Sequence, residues 1–412
     1  MMNIAMVSVH TSPVATDASS CESLRVHVAE LARELGRQGH RVTVYTRRDG
    51  LGSGDRVRLA PRVNVEFISA GNPLPMSEEE VLSHIKEFSD KLAKRLAAKR
   101  PDVVHAHHWL SGLTALAATD GLDIPVVQSF HGLASLEART EGHTSPARLR
   151  MERAIGRGAN ALIATTESES AELARLGVAR PRIAAVPSGV DSEKFKPQGL
   201  TLLPRGEGPR IVMLSRRSAG NGVRTVIEAL ARIPDAELVV AGGPPREELD
   251  GDPAIHRLRI AAKEAGVAER VTFLGRIDSS DVPGLLRSAD LTVSLPSYES
   301  FGRVPVESMA CGTPVVVTAV GGHLDTVIDD VTGVYVRPGR PAELAQRVRG
   351  LLAESTHLAA LGIGGADRVR ARYSWERIAN ETLKVYESVC PAPEPAPEQT
   401  SEDDLHELAV AS

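Results

Sequence analysis

The stretch Leu295-Pro296-Ser297-Tyr298-Glu299-Ser300-Phe301-Gly302-Arg303-Val304-Pro305-Val306-Glu307-Ser308-Met309-Ala310-Cys311-Gly312-Thr313-Pro314-Val315-Val316 decides how this chain is read. It follows the apolar run Leu291–Ser294. Together they read as a buried strand, a loop carrying Glu299, a glycine turn, a helix with Glu307 near its start, and a Cys-Gly-Thr-Pro turn into another strand. Exposed amides at a helix N-terminus suit an anion such as a diphosphate. Two carboxylates eight residues apart, one before the helix and one on its first turns, suit a hydroxyl-rich ligand. The reason is that a carboxylate accepts directional, charge-assisted hydrogen bonds. Taken alone, the pair is more simply a solvated loop residue and a helix-start charge. The surrounding string favours the ligand reading.

The same alternation extends in both directions. Short β-branched runs at Asn3–Val9, Arg41–Thr46, Val63–Ile68, Asp102–His105, Pro125–Ser129, Ala161–Ala164 and Ile183–Val186 are separated mostly by helical patterns. In the first helix Leu24, His27, Val28, Leu31 and Leu35 share one face, and Gly39 ends it. The clearest helix is Glu78–Lys99. Turn-rich sequence from Asp191 to Pro209 breaks the pattern. It then restarts with strands at Arg210–Leu214, Ala236–Val240, Arg270–Phe273, Leu291–Ser294, Pro314–Thr318 and Gly333–Val336. The expected organisation is an α/β chain of two doubly wound Rossmann-like domains, residues 1–195 and 205–372, facing each other across a cleft. A last helix occupies 373–390, and residues 391–412 form a Pro-rich acidic tail that cannot bury a core. In such sheets ligands bind at the C-terminal ends of the strands.

Composition narrows the function. With 412 residues the chain has material for two cores. Its net charge of -5 and 3% aromatic content exclude a nucleic-acid-coating protein and a stacking platform. Three scattered cysteines make neither a disulfide framework nor a cysteine zinc site, which fits a reducing cytoplasm. No run is long enough to span a membrane.

Residues 295–316 resemble the Glu-x7-Glu signature of retaining GT-B glycosyltransferases of family four. Gly321–Gly333, Val240-Ala241-Gly242-Gly243-Pro244, Phe273-Leu274-Gly275-Arg276 and Val186–Asp191 extend the likeness to about residues 3–388. Val26–Ala32 and Val104–Gly112 are similar to the mycothiol-synthesis and sucrose-phosphate-synthase branch. The resemblance implies a GT-B fold whose last helix crosses back to the first domain. It implies hexosyl transfer from a UDP- or GDP-sugar to a small soluble acceptor, with neither cofactor nor metal. Glu299, His131 and Arg216 would then be catalytic. Glu299 would contact sugar hydroxyls, His131 would reach toward the transferred sugar, and Arg216 would clamp the diphosphate. Donor-binding positions would be Glu307 on the ribose, the amides of Ser300, Phe301 and Gly302, and Asn221, Gly242 and Arg276. The reaction would be a front-side displacement, with the leaving phosphate helping to deprotonate the acceptor.

Two departures stand out. Asn221 occupies the place of a phosphate-neutralising lysine, with Arg217 as a candidate substitute, and Glu22-Ser23 replaces a Gly-Gly loop. They motivate a rival reading, an impaired binding or regulatory protein on the same fold. An epimerase or phosphorylase is a third and less similar alternative. His105, His107 and His108 read as packing or cleft-lining residues rather than a zinc site. Asp250-Gly251-Asp252 reads as a turn, and Arg148–Arg157 as a solvated helix face.

Overall fold

The computed structural model describes residues 1–15, 22–50, 54–142, 145–215 and 221–390. Arg216, Arg217 and the tail expected at 391–412 lie outside the described residues, as does the Asn221 side chain.

The first domain is built on eight strands: β1 (Asn3–Val7), β2 (Arg41–Arg47), β3 (Arg56–Ala60), β4 (Val63–Ile68), β5 (Val103–His107), β6 (Val126–Ser129), β7 (Ala161–Ala164) and β8 (Ile183–Ala185). Their order across the sheet is β3-β4-β2-β1-β5-β6-β7-β8. The second has β9 (Arg210–Ser215), β10 (Glu237–Gly242), β11 (Val271–Gly275), β12 (Leu291–Ser294), β13 (Val315–Thr318) and β14 (Val334–Val336), in the order β11-β10-β9-β12-β13-β14. Helices cover both faces, so the central strands are buried on both sides and read as near-continuous apolar runs. Ile4, Ala5, Met6 and Val7 are at most 2% exposed.

Two departures from the expected elements have plain causes. The edge strand β3 pairs antiparallel with β4, so the first sheet is not wholly parallel. Its Arg56, Val57 and Arg58 are exposed. An edge strand carrying arginines shows no buried run, and its charge discourages further strand pairing. The helix expected over Glu78–Lys99 is two, Glu78–Ser83 and Ile85–Lys99. At His84 the backbone opens to φ -104°, ψ 5°. The His84 ring packs directly on Gly71, where a Cβ would lie 2.5 Å from it.

Each sheet has a point where strand order reverses, and crevices open there. In the first sheet it is β1, between β2 and β5; in the second it is β9, between β10 and β12. The chain leaves the first domain after β8 and returns through Tyr373. At the crossing Val190 N donates to Tyr373 O at 2.8 Å. The last helix, Trp375–Val389, packs on the first domain, burying Trp375, Ile378, Ala379, Val385 and Tyr386 against Ile4, Leu31, Leu35 and Val127. Burial of this kind is worth about 1.5–3 kcal/mol for each large side chain, so the helix is held firmly.

Candidate active site

On the second-domain side, the loop leaving β12 turns at Gly302 into the helix Arg303–Ala310. Gly302 has φ 94°, and a Cβ there would stand 2.9 Å from Thr326 Oγ1 and 3.1 Å from the His323 ring. Glycine is therefore required on both conformational and steric grounds. Glu299 Oε1 accepts from Gly302 N at 3.0 Å and from Phe301 N at 3.3 Å. The carboxylate and two of the amides that the resemblance assigns to different parts of a donor are thus bonded to each other. Ser300 lies partly buried between them, and Phe301 stacks edge-on to Tyr373.

One turn into the helix, Glu307 is 1% exposed and accepts at Oε1 from Arg303 Nε at 2.6 Å. Arg303 Nη1 is buried and has no partner among the described residues. Asn221 opens the helix Asn221–Leu230 beside this loop: a Cβ on its neighbour Gly222 would meet Leu295 O at 2.7 Å. At the ends of β10 and β11, Gly242 (φ 114°) and Gly275 (φ 71°) permit backbone-to-backbone approach. A Cβ on Gly242 would fall 1.9 Å from Ser215 O. Arg276, exposed beyond them, donates its amide to Pro244 O at 2.9 Å.

Facing this, the crevice of the first domain is lined by imidazoles. His131 follows β6 in a left-handed turn, with φ 61°. Its Nε2 lies 3.0 Å from His107 Nδ1, and the two rings stack at 5.3 Å. His107 and His105 are two residues apart on β5 and share a face, with rings 4.0 Å apart. His105 bonds Tyr386 Oη at 2.7 Å and Ser129 Oγ at 2.9 Å. His27, from the helix Glu22–Arg37, sits edge-on to His131 at 4.6 Å and bonds Ser188 Oγ at 2.9 Å. Glu22 opens that same helix, at the mouth of the crevice after β1.

Burial, and then the neighbouring histidines, lower the basicity of these rings. His131 and His105 fall to about 3, and His27 and His107 fall well below the usual value. All are neutral at pH 7, so His131 can exchange hydrogen bonds but does not carry a proton charge. The charge of Arg303, from the second domain, adds the smallest of these lowerings to His27.

His27, His107 and His131 each offer a nitrogen within 4.8 Å of the others, in the neutral form a metal requires. The 3.0 Å approach between His107 and His131 is a hydrogen bond, so that part of the trio is closed on itself. His105 and His107 are both fully buried in the crevice wall. His27 and Arg303 were not singled out by sequence. A histidine on the buried face of the first helix was the available signal for His27. Arg148 turns inward onto Glu137 and Glu152, while Arg150, Arg153 and Arg157 stay exposed, so the expected solvated face is only partly that. Asp252 caps the helix Pro253–Glu264, making its loop a turn.

Two Rossmann-like domains with apposed crevices define a GT-B enzyme. Residues 24–194 match the Glycosyltransferase Family 4 domain and residues 201–368 match the Glycosyl transferases group 1 domain. A D-inositol 3-phosphate glycosyltransferase of Mycobacterium marinum is 33% identical over 399 residues, covering 93% of this chain and 85% of the relative. Sucrose-phosphate synthase from Thermosynechococcus elongatus superposes with a TM-score of 0.84 at 27% identity, covering 94% of this chain and 99% of that one. Anabaena Alr3699/HepE, solved with UDP and glucose, has the same fold at 19% identity and a TM-score of 0.71, covering 94% of this chain and 100% of that one. The chain belongs to glycosyltransferase family 4, with a group 1 C-terminal domain, and is a glycosyltransferase.

Proposed function

We propose that the protein moves a hexosyl group from a nucleotide sugar to a small polyol acceptor, with retention of configuration and without a metal ion. One observation carries this reading. Tyr298, next to Glu299 on the second-domain loop, packs against the first-domain core, and Arg303 of the following helix is near enough for its charge to act on His27.

In this reading the diphosphate lies at the start of the helix Arg303–Ala310, displacing the Glu299 carboxylate from the amides of Phe301 and Gly302 onto the sugar hydroxyls. Glu307 takes the ribose. Arg216, Asn221 and Arg303 face the diphosphate, and their cationic members stabilise the leaving group as the glycosidic bond breaks. Gly242 and Arg276 border the nucleotide. Neutral His131 hydrogen-bonds the transferred sugar, and the departing phosphate oxygen takes the acceptor proton on the same face. The UDP in the Anabaena structure favours a UDP-sugar over a GDP-sugar. The polyol in the name of the Mycobacterium relative favours an acceptor of that size. We place the protein in the cytoplasm: Cys311 and Cys390 are free thiols, and no described helix is long and apolar enough to cross a membrane.

Calorimetric titration with UDP, GDP and ADP, followed by incubation with the matching labelled donor and NMR of the product anomer, tests this. Nucleotide binding followed by EDTA-insensitive transfer with a retained anomer is expected. Failure to bind any of the three nucleotides would overturn it in favour of an impaired binding protein.

A further inference from the structure

Beyond His131, on the first-domain wall of the same crevice, a closed circuit of polar side chains surrounds Trp109. Trp109 Nε1 donates to Glu78 Oε2 at 3.1 Å, and His108 Nε2 lies 3.4 Å from Glu78 Oε1. His10, leaving β1, stacks on His108 at 5.2 Å and approaches Glu78 at 4.0 Å. The Arg148 guanidinium lies over the Trp109 ring at 5.9 Å. It donates to Glu137 at 2.9 Å and to Glu152 at 2.9 Å. Glu137 leads back to His131: its Oε1 would touch a Cβ on Gly132 at 3.0 Å. Tyr298, next to Glu299, packs against the first-domain core, within reach of the charges of Glu169, Glu137, Glu299 and Arg148. The circuit therefore adjoins both the histidine and the loop of the reaction centre.

The donors and acceptors of this wall are unevenly available. A phosphate needs charge-assisted N–H donors. Arg148 has Nε, Nη1 and Nη2 on carboxylates. The other nearby guanidinium, Arg47, is 4% exposed, and its Nη atoms donate to the carbonyls of Arg48, Asn72 and Leu74. Glu78 is different. Its side chain is 38% exposed, and its described partners are an indole N–H and two imidazoles. Burial would raise its carboxyl, but the His108 hydrogen bond and the charges of His108, Arg148 and His10 outweigh it and lower the carboxyl to about 2. His10 Nδ1, His108 Nδ1 and, on fully buried His107, Nε2 are buried without partners among the described residues. The wall thus presents a reachable carboxylate and, among the described residues, unpartnered ring nitrogens, with its guanidinium groups already committed.

We infer that the acceptor is an amino-polyol, an aminocyclitol or amino sugar whose ammonium is received by Glu78, and not a phosphorylated one. The inference rests on the glycosyl-transfer reading above. It is tested on the full chain with 2-deoxystreptamine, myo-inositol and inositol 1-phosphate as acceptors for UDP-glucose, followed by UDP release. Saturation-transfer NMR of each acceptor is run in parallel, with and without UDP. The amine is expected to give about tenfold or more the rate of inositol and the stronger saturation transfer, with inositol phosphate weakest. Glu78→Gln should remove that preference in both readouts. Inositol phosphate binding best, no binding of the amine, or an amine preference unchanged in Glu78→Gln would each overturn the inference. Failure of UDP to bind, by contrast, strikes at glycosyl transfer itself, and acceptor NMR without UDP still decides the charge of the pocket.

Discussion

Arg303 and Glu307 are joined across one helical turn by a 2.6 Å Nε–Oε1 hydrogen bond, at the entrance of the helix that faces the histidine crevice. The pair fixes the carboxylate assigned to the ribose, and Arg303 Nη1 has no partner among the described residues. If Arg303 supplies charge to the diphosphate as well as bracing Glu307, Arg303→Leu should weaken UDP binding about tenfold. Calorimetry reads this directly, and unchanged affinity would remove Arg303 from the donor site.

Glu299→Ala and Glu307→Ala should separate. Glu299 is bonded to the amides of Phe301 and Gly302 and is assigned to sugar hydroxyls. Its loss should reduce transfer by about a hundredfold or more while leaving free-UDP affinity within a few-fold. Loss of Glu307 should weaken UDP itself. Steady-state rates with calorimetry on both variants check the assignment, and the reverse pattern would exchange the two roles.

Asn221 opens the helix Asn221–Leu230, in the place the resemblance gives to a diphosphate-neutralising lysine. Asn221→Lys should tighten UDP binding several-fold, by adding a charge to what is now only a polar group. An unaltered dissociation constant would show that another cation already holds that place.

Stability should fall steadily as pH drops below 6.5. His10 is lowered to about 4 and His105 and His131 to about 3, chiefly by burial, and His27 and His107 are lowered well below the usual value for the same reason. Each is neutral in the fold but protonated in the unfolded chain below about 6.5, so its contribution is present above that pH and lost toward the folded value. The slope is about 1.4 kcal/mol per pH unit for each such group. Glu152 runs the other way: burial raises it to about 7, so its contribution is lost as pH rises through that value. Thermal unfolding from pH 8 to 5 should show a falling Tm, with a shallower slope in His105→Gln. A flat profile would contradict the buried, neutral cluster.

Gly302→Ala should destabilise the protein by about 1–2 kcal/mol, from φ 94° and the contact with Thr326 Oγ1. UDP affinity should drop with it, since the helix entrance would shift. Denaturant unfolding and the same titration measure both effects.

Local pattern alone carried much of the architecture. Alternating apolar strands and amphipathic helices required two α/β halves. The spacing from Glu299 to Gly302 and Glu307 required a strand, a turn and a helix start, because period and turn chemistry are properties of neighbouring residues. Local pattern marked a last helix over 373–390, while its return to the first domain was implied only by the family resemblance. Contacts between distant residues were decided only by strand order and by the apposition of the two domains. Placing β5 between β1 and β6 gathers His10, His107 and His131 at one end of the sheet, and the first helix adds His27. The edge position of β3 follows from the strand order, and the break at His84 from its packing on Gly71, neither of which an apolar period marks. The same holds for Arg303 against His27 and for the Glu78–Arg148 circuit. These relations depend on where chain segments meet in space, which no local periodicity encodes.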